Sequence, residues 1–389
     1  MKGLTCLFIL ALIVMSGCIQ TRTQWAVTFE EEENTTGYSI IPTEGGFVVA
    51  GSIGPPDARD FWLVKVDGEG NKVWSHQFGN GTDDDRAYDV VEADGGYVVV
   101  GISQTPHDVR YSFLMVVKTT HNGEKEWSKM YQLGNKYTAG TSILPVEDGY
   151  IIAGTVGGKE ITQRLFEPYA FLMKMDRKGE KQWLMTYDRT MTSVTQIARF
   201  EGGYLMLGSI SGDKPFEGAV WLQKVDEHGE PQWEKSYTRF GHDTGRCLTV
   251  MEDGLLIGAQ SSNDLWIIRT DLGGDILWSH VYDQSFDDIT NVVQIQDQFI
   301  IVGNTYAFHF RKGIVLRDAE DFLSMFGQQD ILIIRTDTDK REKWRVVRGC
   351  PEGDGVHDVC CVGDSIVMVG YTEEKGKMNL FIMKWKAIP

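Results

Sequence analysis

Basic residues are scarce in this sequence of 389 residues, which contains 38 lysines and arginines against 55 aspartates and glutamates. The formal net charge of -17 argues against an extended basic face. Proteins that bind nucleic acid need such a face to neutralise phosphates, so we expect no nucleic-acid partner. Basic surfaces, cations and neutral ligands suit this charge better.

Long hydrophobic runs are also absent, except for one at Leu7–Met15. That run is too short to span a bilayer and has the form of a secretory signal core. The next residues, Ser16, Gly17 and Cys18, resemble the lipobox of bacterial and archaeal lipoproteins, in which the cysteine becomes a lipid-bearing N-terminus. We therefore expect a signal peptide at 1–17, lipidation of Cys18, a linker at 18–23 and one domain at 24–389. The lipid alone would hold this domain on the outer side of the cell membrane; a plain signal peptide cut elsewhere is the alternative.

Motifs of catalysis and metal binding are missing as well. The eight histidines are scattered and form no H-x-x-x-H pair. The sequence has neither a G-x-S-x-G nucleophile elbow nor a D-x-D-x-D-G calcium loop. We therefore expect no resident cofactor, and a binding role in preference to an enzymatic one.

Cysteine is sparse outside the signal segment, with Cys247, Cys350, Cys360 and Cys361 in the expected domain. Outside the cell a disulfide from Cys350 to either Cys360 or Cys361 is the pairing closest in sequence. For the adjacent residues Cys360 and Cys361, the alternative to a disulfide is that two small side chains pack on opposite sides of a strand. Asn34 and Asn80 each begin an N-x-T sequence, which predicts glycosylation.

A repeated phrase dominates the rest of the sequence. Residues 60–74 read DFWLVKVDGEGNKVW, and related phrases end at Trp127, Trp183, Trp233, Trp278 and Trp344. Each phrase has an alternating apolar run, a turn and a second run that begins at tryptophan, which predicts a β-hairpin. Asp67 opens the first turn, where its carboxylate can accept bonds from nearby N–H groups, and Gly70 closes it at a position that favours positive φ.

A second pair of strands follows each hairpin, as in AYDVVEADGGYVVVGIS at 87–103. The unit is four antiparallel strands, A to D, and repetition of such units predicts a β-propeller. The sequence ends with a strand C, NLFIMKW, and the expected domain begins with a strand D, QWAVTF. We therefore predict an all-β, seven-bladed propeller of four-stranded blades, closed by the N-terminal strand in the last blade. Trp25 would then join the other tryptophans, which we expect to pack blade against blade.

The D-x-x-G-x-x-x-W units resemble the quinoprotein-type (PQQ-like) repeats of secreted prokaryotic β-propellers. The resemblance covers nearly all of the expected domain and implies the propeller fold. Quinoprotein dehydrogenases of that kind have eight blades and a metal and quinone site in the central channel. This sequence has seven units, a shorter turn and no recognisable site of that kind, so we expect that it does not bind PQQ.

Strand connections distinguish the two faces of the predicted propeller. The A–B and C–D turns are tight, whereas the B–C and D–A connections, on the other face, are expected to be long and different in every blade. We call these the tight-turn face and the long-loop face. Variable loops on a rigid scaffold commonly carry binding sites, so we expect the long-loop face to bind. The longest insertion, in blade six, is predicted to contain a short helix from Asp318 to Gly327.

Acidic residues near the long-loop face form a candidate ligand site with one histidine. The set is Asp85, Asp243, Asp287, Asp354 and His357. Around a ring these side chains could converge on a ligand or on a cation such as calcium, which prefers oxygen ligands. Turn capping by single aspartates is the alternative. We expect His357 and Asp358 to face opposite ways, as neighbours on a strand do.

These observations favour a surface-displayed propeller that binds or scaffolds a protein or a glycan through its long-loop face. The alternative is an enzyme with a site in the central channel, either a quinone-dependent dehydrogenase or a glycan-acting hydrolase or lyase. The fold does not separate these functions. Convergent carboxylates beside a histidine with a shifted pKa would favour the enzyme.

Overall fold

Seven antiparallel sheets of four strands form the part of the chain that the computed structural model describes. That part is residues 22–387 without 106–110, 135–136, 163–164, 188–191, 212–217, 240, 283–286, 307–328, 338 and 350–352. No helix in this part is long and apolar enough to cross a membrane. The predicted helix from Asp318 to Gly327 lies outside the described residues.

The first three blades follow the four-stranded repeat in chain order. Blade one is β2 (Thr35–Thr43), β3 (Gly46–Ile53), β4 (Asp60–Asp67) and β5 (Lys72–Phe78). Blade two is β6 (Asp84–Ala93), β7 (Gly96–Gln104), β8 (Ser112–Thr120) and β9 (Lys125–Tyr131). Blade three is β10 (Thr138–Val146), β11 (Gly149–Thr162), β12 (Leu165–Asp176) and β13 (Lys181–Tyr187).

The next three blades repeat this order. Blade four is β14 (Thr192–Arg199), β15 (Gly203–Ser211), β16 (Gly218–Asp226) and β17 (Pro231–Tyr237). Blade five is β18 (Asp243–Met251), β19 (Gly254–Ser261), β20 (Asp264–Thr270) and β21 (Ile276–Tyr282). Blade six is β22 (Asp287–Ile295), β23 (Gln298–Tyr306), β24 (Gln329–Thr336) and β25 (Glu342–Arg348).

Blade seven joins the two ends of the chain, which confirms the predicted closure. Its strands are β26 (Asp354–Val362), β27 (Ser365–Glu374), β28 (Lys377–Lys386) and, from the N-terminus, β1 (Thr23–Phe29). The antiparallel pairing of β1 with β28 runs from Thr23 opposite Trp385 to Phe29 opposite Leu380. The closed ring leaves no sheet face without a neighbour, and buried apolar clusters fill the blade junctions.

The repeated tryptophan packs each blade on the next, as predicted. Trp25 of blade seven lies against Gly70 in the C–D turn of blade one, and its indole Nε1 donates to Gly68 O at 3.1 Å. Trp127 lies in the same way against Gly179 of the following blade. The turn needs glycine for two reasons. Gly70 has a φ of 89°, which favours glycine, and a Cβ there would meet the indole ring of Trp25.

The B–C connections correct one expectation. They are not long in every blade, because only residues 262–263 join β19 to β20 and only 375–376 join β27 to β28. In blade three the connection is built as an extension of β11 and β12. The longest connection remains 307–328 in blade six, between β23 and β24. The long loops therefore occupy one part of this face and not its whole circumference.

Candidate functional site in the central channel

Every inner strand carries a bulge at the same place. In all seven A–B pairs the register shifts by one residue, so that one residue of strand A has no partner in strand B. These residues form what we call the bulge ring: Tyr38, Tyr88, Thr141, Thr195, Arg246, Thr290 and His357. Each retains solvent exposure although strand A is the innermost strand of its blade, so the ring lines the central channel.

A glycine of strand B accompanies the bulge in six of the seven blades. There the residue that opens the shift pairs with Gly51, Gly101, Gly154, Gly208, Gly303 or Gly370, whereas in blade five Gly245 pairs with Ala259 and Gly258 lies opposite Cys247. At Gly101 a Cβ would overlap the carbonyl oxygen of Arg86 in the bulged strand. In these six blades the bulged strand A approaches strand B too closely for a side chain at the glycine.

The residue after each ring position joins neighbouring blades. This second ring, which we call the belt, consists of Ser39, Asp89, Ser142, Gln196, Cys247, Asn291 and Asp358. Asp89 accepts a hydrogen bond from Ile143 N of the next blade at 2.9 Å, and Gln196 Oε1 accepts one from Leu248 N at 2.7 Å. Asp358 accepts one from Ile40 N at 2.9 Å. The belt fastens the inner strands to one another.

Four members of the bulge ring also fasten blades, through one shared contact. Thr141 Oγ1 donates to Val194 O at 2.9 Å, and Thr195 Oγ1 donates to Gly245 O at 3.0 Å. Thr290 Oγ1 donates to Val356 O at 2.9 Å. In each case the acceptor is the carbonyl two residues before the belt residue of the next blade.

His357 makes the same contact, because its Nδ1 lies 2.9 Å from Gly37 O in blade one. A carbonyl can only accept, so Nδ1 carries the proton and Nε2 is the free acceptor of a neutral ring. Burial lowers the pKa of His357, which favours that neutral form. The expectation that His357 and Asp358 face opposite ways is wrong, since the bulge directs both side chains to blade one.

Three ring members depart from this pattern: Tyr38, Tyr88 and Arg246. The Tyr38 ring stacks on His357 with centroids 5.1 Å apart and meets Tyr88 edge to face at 5.5 Å. Tyr371 of β27 continues the row, 5.6 Å from His357. We call Tyr38, Tyr88, His357 and Tyr371 the aromatic arc; it belongs to blades seven, one and two.

Two arginines lie near the channel, and both are paired with carboxylates. Arg86 forms an ion pair with Asp84, and its Nε is buried without a hydrogen bond. Arg246 Nε lies 3.2 Å from Asp288 Oδ1, and its Nη2 donates to Gln260 Oε1 at 2.9 Å. The two cations therefore bring little net charge to the channel wall.

The belt carboxylates are not available for chemistry. Asp89 accepts from Ser39 Oγ and Val90 N on one oxygen, and from Ser142 Oγ and Ile143 N on the other. Burial is the largest cause that raises the pKa of Asp89 to about 6 and that of Asp358 to about 7. These shifts accompany carboxylates turned into the wall, so they do not provide the convergent acid and base that an enzyme would need.

Among the described side chains, the members of the predicted acidic site are not brought together. Asp85, Asp243 and Asp354 occupy equivalent positions at the start of three different inner strands, and each is buried at its own blade junction. Asp243 Oδ2, for example, accepts from Arg239 N at 2.6 Å. Asp287 begins β22, but its side chain is outside the described part. Within that part no three His, Cys, Asp or Glu side chains are placed to hold a metal ion.

The other predicted sites stay predictions. Cys18 and Cys350 lie outside the described residues, and no disulfide joins Cys247, Cys360 and Cys361 to one another. Asn34 Oδ1 accepts from Met378 N at 2.9 Å, and Asn80 Oδ1 accepts from Thr82 N at 2.9 Å. Both asparagines therefore have turn-fixing contacts, which neither require nor forbid a glycan.

Comparison with known proteins establishes the fold and nothing finer. The chain is similar to the WD40 β-propeller domain of Doa1, with 11% identity, coverage of 93% of this chain and 96% of that one, and a TM-score of 0.50. The Dos1 propeller has 10% identity, coverage of 92% and 94%, and a TM-score of 0.49. No family model and no curated protein matches the sequence. The quinoprotein-type resemblance therefore stays a prediction.

Proposed function

We propose that this chain is an exported, lipid-anchored propeller that binds a protein or a glycan through its long-loop face. The lipid on Cys18 would hold it at the outer side of the cell membrane. Propellers commonly act as rigid platforms for binding, and the belt carboxylates Asp89 and Asp358 accept hydrogen bonds from the channel wall.

The position of the N-terminal strand supports this orientation. Thr23, the first residue of β1, lies opposite Trp385 near the end of β28, where the tight C–D turns of the other blades are found. Cys18 precedes Thr23 by five residues, which reach roughly 20 Å at most when extended. An anchor at Cys18 would therefore bring the tight-turn face to the membrane and leave the long-loop face outward.

The observation that carries the proposal is the unequal distribution of inserted chain. The A–B turns are short throughout the described blades, whereas the opposite face has the connection 307–328 in blade six and those at 105–111 and 212–217. Insertions that the scaffold does not need, all on the face directed away from the anchor, are typical of a partner-binding surface. The enzyme alternative gains no support, because the belt carboxylates are occupied.

Two variants test the proposal in the cells that make the protein. Cys18→Ser should release the protein from membranes into the soluble fraction. Replacement of 309–326 by a short Gly-Ser linker should leave the protein membrane-bound but abolish crosslinking to its surface partner. Glu69→Lys with Lys178→Glu, on exposed tight turns, is the matched control and should keep the crosslink. Loss in the control with retention in the loop variant would overturn the choice of face.

A further inference from the structure

Not every position of the bulge ring makes the contact that fastens neighbouring blades. At four of the seven bulge positions the side chain donates to the carbonyl of the next blade. Tyr38 and Tyr88 occupy two of the remaining positions, side by side in the aromatic arc. Their rings add surface to the channel where the repeat needs only a hydroxyl group.

From this arrangement we propose that the aromatic arc is a binding site for one neutral sugar residue inside the central channel. The site is distinct from the long-loop surface and depends neither on export nor on the lipid anchor. Tyr38 and Tyr88 would supply the stacking surface. The Tyr38 hydroxyl and the free His357 Nε2 would supply hydrogen bonds to sugar hydroxyl groups, since the Tyr88 and Tyr371 hydroxyls already contact Arg86 and Gln329.

The geometry suits a sugar ring. Tyr38, Tyr88 and His357 are each half-buried, so each of these residues keeps some exposure at the channel wall. Their neighbours fix their orientations, with 18° between the planes of Tyr38 and His357 and 70° between those of Tyr38 and Tyr88. Rigid aromatic surfaces with polar tips bind ligands that combine an apolar face with hydroxyl groups at the edge, which describes a pyranose.

The charges around the arc favour a neutral ligand. An anion would need a free cation, but Arg86 and Arg246 are already paired with Asp84 and Asp288. A cation would need a free carboxylate, but the oxygens of Asp89 accept bonds from the wall. Either charged ligand would also lose hydration without gaining a partner.

Ligand-observed saturation-transfer NMR on the full mature chain provides the test. The probes are D-glucose, D-galactose, D-mannose and N-acetyl-D-glucosamine, with D-glucuronate and D-glucosamine as charged analogues. At least one neutral sugar should bind with a dissociation constant of about 1–10 mM, as expected for a single small ligand. Its charged analogue should bind more weakly.

Variants assign the binding to the arc. Tyr38→Ala and Tyr88→Ala should each weaken binding at least tenfold, whereas Thr195→Val, at a ring position that fastens blades, should leave it unchanged. Tyr38→Phe keeps the stacking surface and should weaken binding only a few-fold, which guards against loss of fold in the alanine variant. Absence of binding by all four neutral sugars, binding unaffected by both alanine variants, or tighter binding of a charged analogue would overturn the proposal.

Discussion

The two sides of the channel wall use the same bulge for different purposes. On the side of blades three to six, which we call the opposite arc, three of the four bulge positions are threonines and the belt residues are Ser142, Gln196, Cys247 and Asn291. In the aromatic arc the bulge positions are Tyr38, Tyr88 and His357, and the belt has Asp358 and Asp89 on either side of Ser39. The hydrogen bonds that recur from blade to blade hold the inner strands together, whereas Tyr38 and Tyr88 of the aromatic arc do not make them.

The outer strands show the same division. Four strand-D tyrosines donate to the turn carbonyl of the next blade: Tyr131, Tyr187, Tyr237 and Tyr282. The equivalent residues at the junctions of blades seven with one and one with two are Phe29 and Phe78, which cannot donate. This tyrosine contact, which we call the outer latch, therefore fastens the junctions from blades two and three to blades five and six, whereas the junctions of blades seven with one and one with two lack it.

The largest effect should come from the strand-B glycines, which test whether both arcs share the bulge. Gly101→Ala in the aromatic arc and Gly208→Ala in the opposite arc each place a methyl group on a backbone carbonyl oxygen. Since a backbone atom cannot rotate away, each substitution should cost at least about 3 kcal/mol of the free energy of unfolding. Chemical denaturation measures the loss, and Gly68→Ala, where a Cβ meets nothing, is the control. A large loss in only one arc would show that the bulges are not equivalent.

The second-largest effect should be a pH dependence of the free energy of unfolding that comes from Asp89 and Asp358, the belt carboxylates of the aromatic arc. The raised pKa values of Asp89, about 6, and Asp358, about 7, mean that both contribute stability most fully below the ordinary aspartate pKa near 4. This contribution is lost as the pH rises through 6 and 7. His357 opposes it, because its lowered pKa costs stability as the pH falls below about 6.5. Asp85, whose pKa burial raises to about 7, acts in the same direction as the belt pair.

Asparagine variants isolate the belt pair from these other groups. Asp358→Asn removes the titration of this side chain, so its free energy of unfolding relative to that of the wild type should rise by about 2 kcal/mol from pH 5 to pH 8. A constant loss is expected as well, because its amide would face Ile40 N or Val359 N. Asp89→Asn should lose about 2 kcal/mol at pH 5, since its amide would face donors on either side, and less at pH 8, where the wild type has lost the contribution of the protonated acid. Denaturant titrations at pH 5 and pH 8 measure both. An Asp358→Asn effect that does not change with pH would remove the distinction between the arcs.

The sequence predicted the repeat because hairpin signals are local, but it could not predict the ring. Alternating apolar residues and the Asp and Gly of each turn specify the strands, and the matching ends specify closure. The bulge breaks the two-residue period within strand A, which is why the sequence pattern places His357 and Asp358 on opposite sides of the strand. The strand-B glycine, opposite the start of the bulge in six of the seven units, is the sequence signal of a close backbone approach. Contacts such as His357 to Gly37 join residues far apart in sequence, and no local pattern records them.

The third-largest effect should come from removing the hydroxyl group of a bulge-ring threonine that joins two blades. Thr195 Oγ1 lies 3.0 Å from Gly245 O and 3.1 Å from Leu207 O, so Thr195→Val removes a contact between blades at constant shape. The free energy of unfolding should fall by about 1 kcal/mol. Tyr38→Phe, at the equivalent position of the aromatic arc, should change it by less than about 0.5 kcal/mol, because its hydroxyl fastens no blade. Equal losses in the two variants would mean that Tyr38 also has a structural role.

The smallest effect should come from exchanging the outer latch between the arcs. The Tyr237 hydroxyl donates to Gly274 O at 2.7 Å, and Phe78 holds the same place opposite the turn at Gly123. Tyr237→Phe should therefore cost about 1 kcal/mol, and Phe78→Tyr should add about 0.5 kcal/mol if its hydroxyl reaches Gly123 O. Thermal unfolding measures the loss of stability in Tyr237→Phe and the gain in Phe78→Tyr. A destabilising Phe78→Tyr would show that the aromatic arc excludes the latch by its geometry, so that the difference between the arcs extends from the channel to the outer strands.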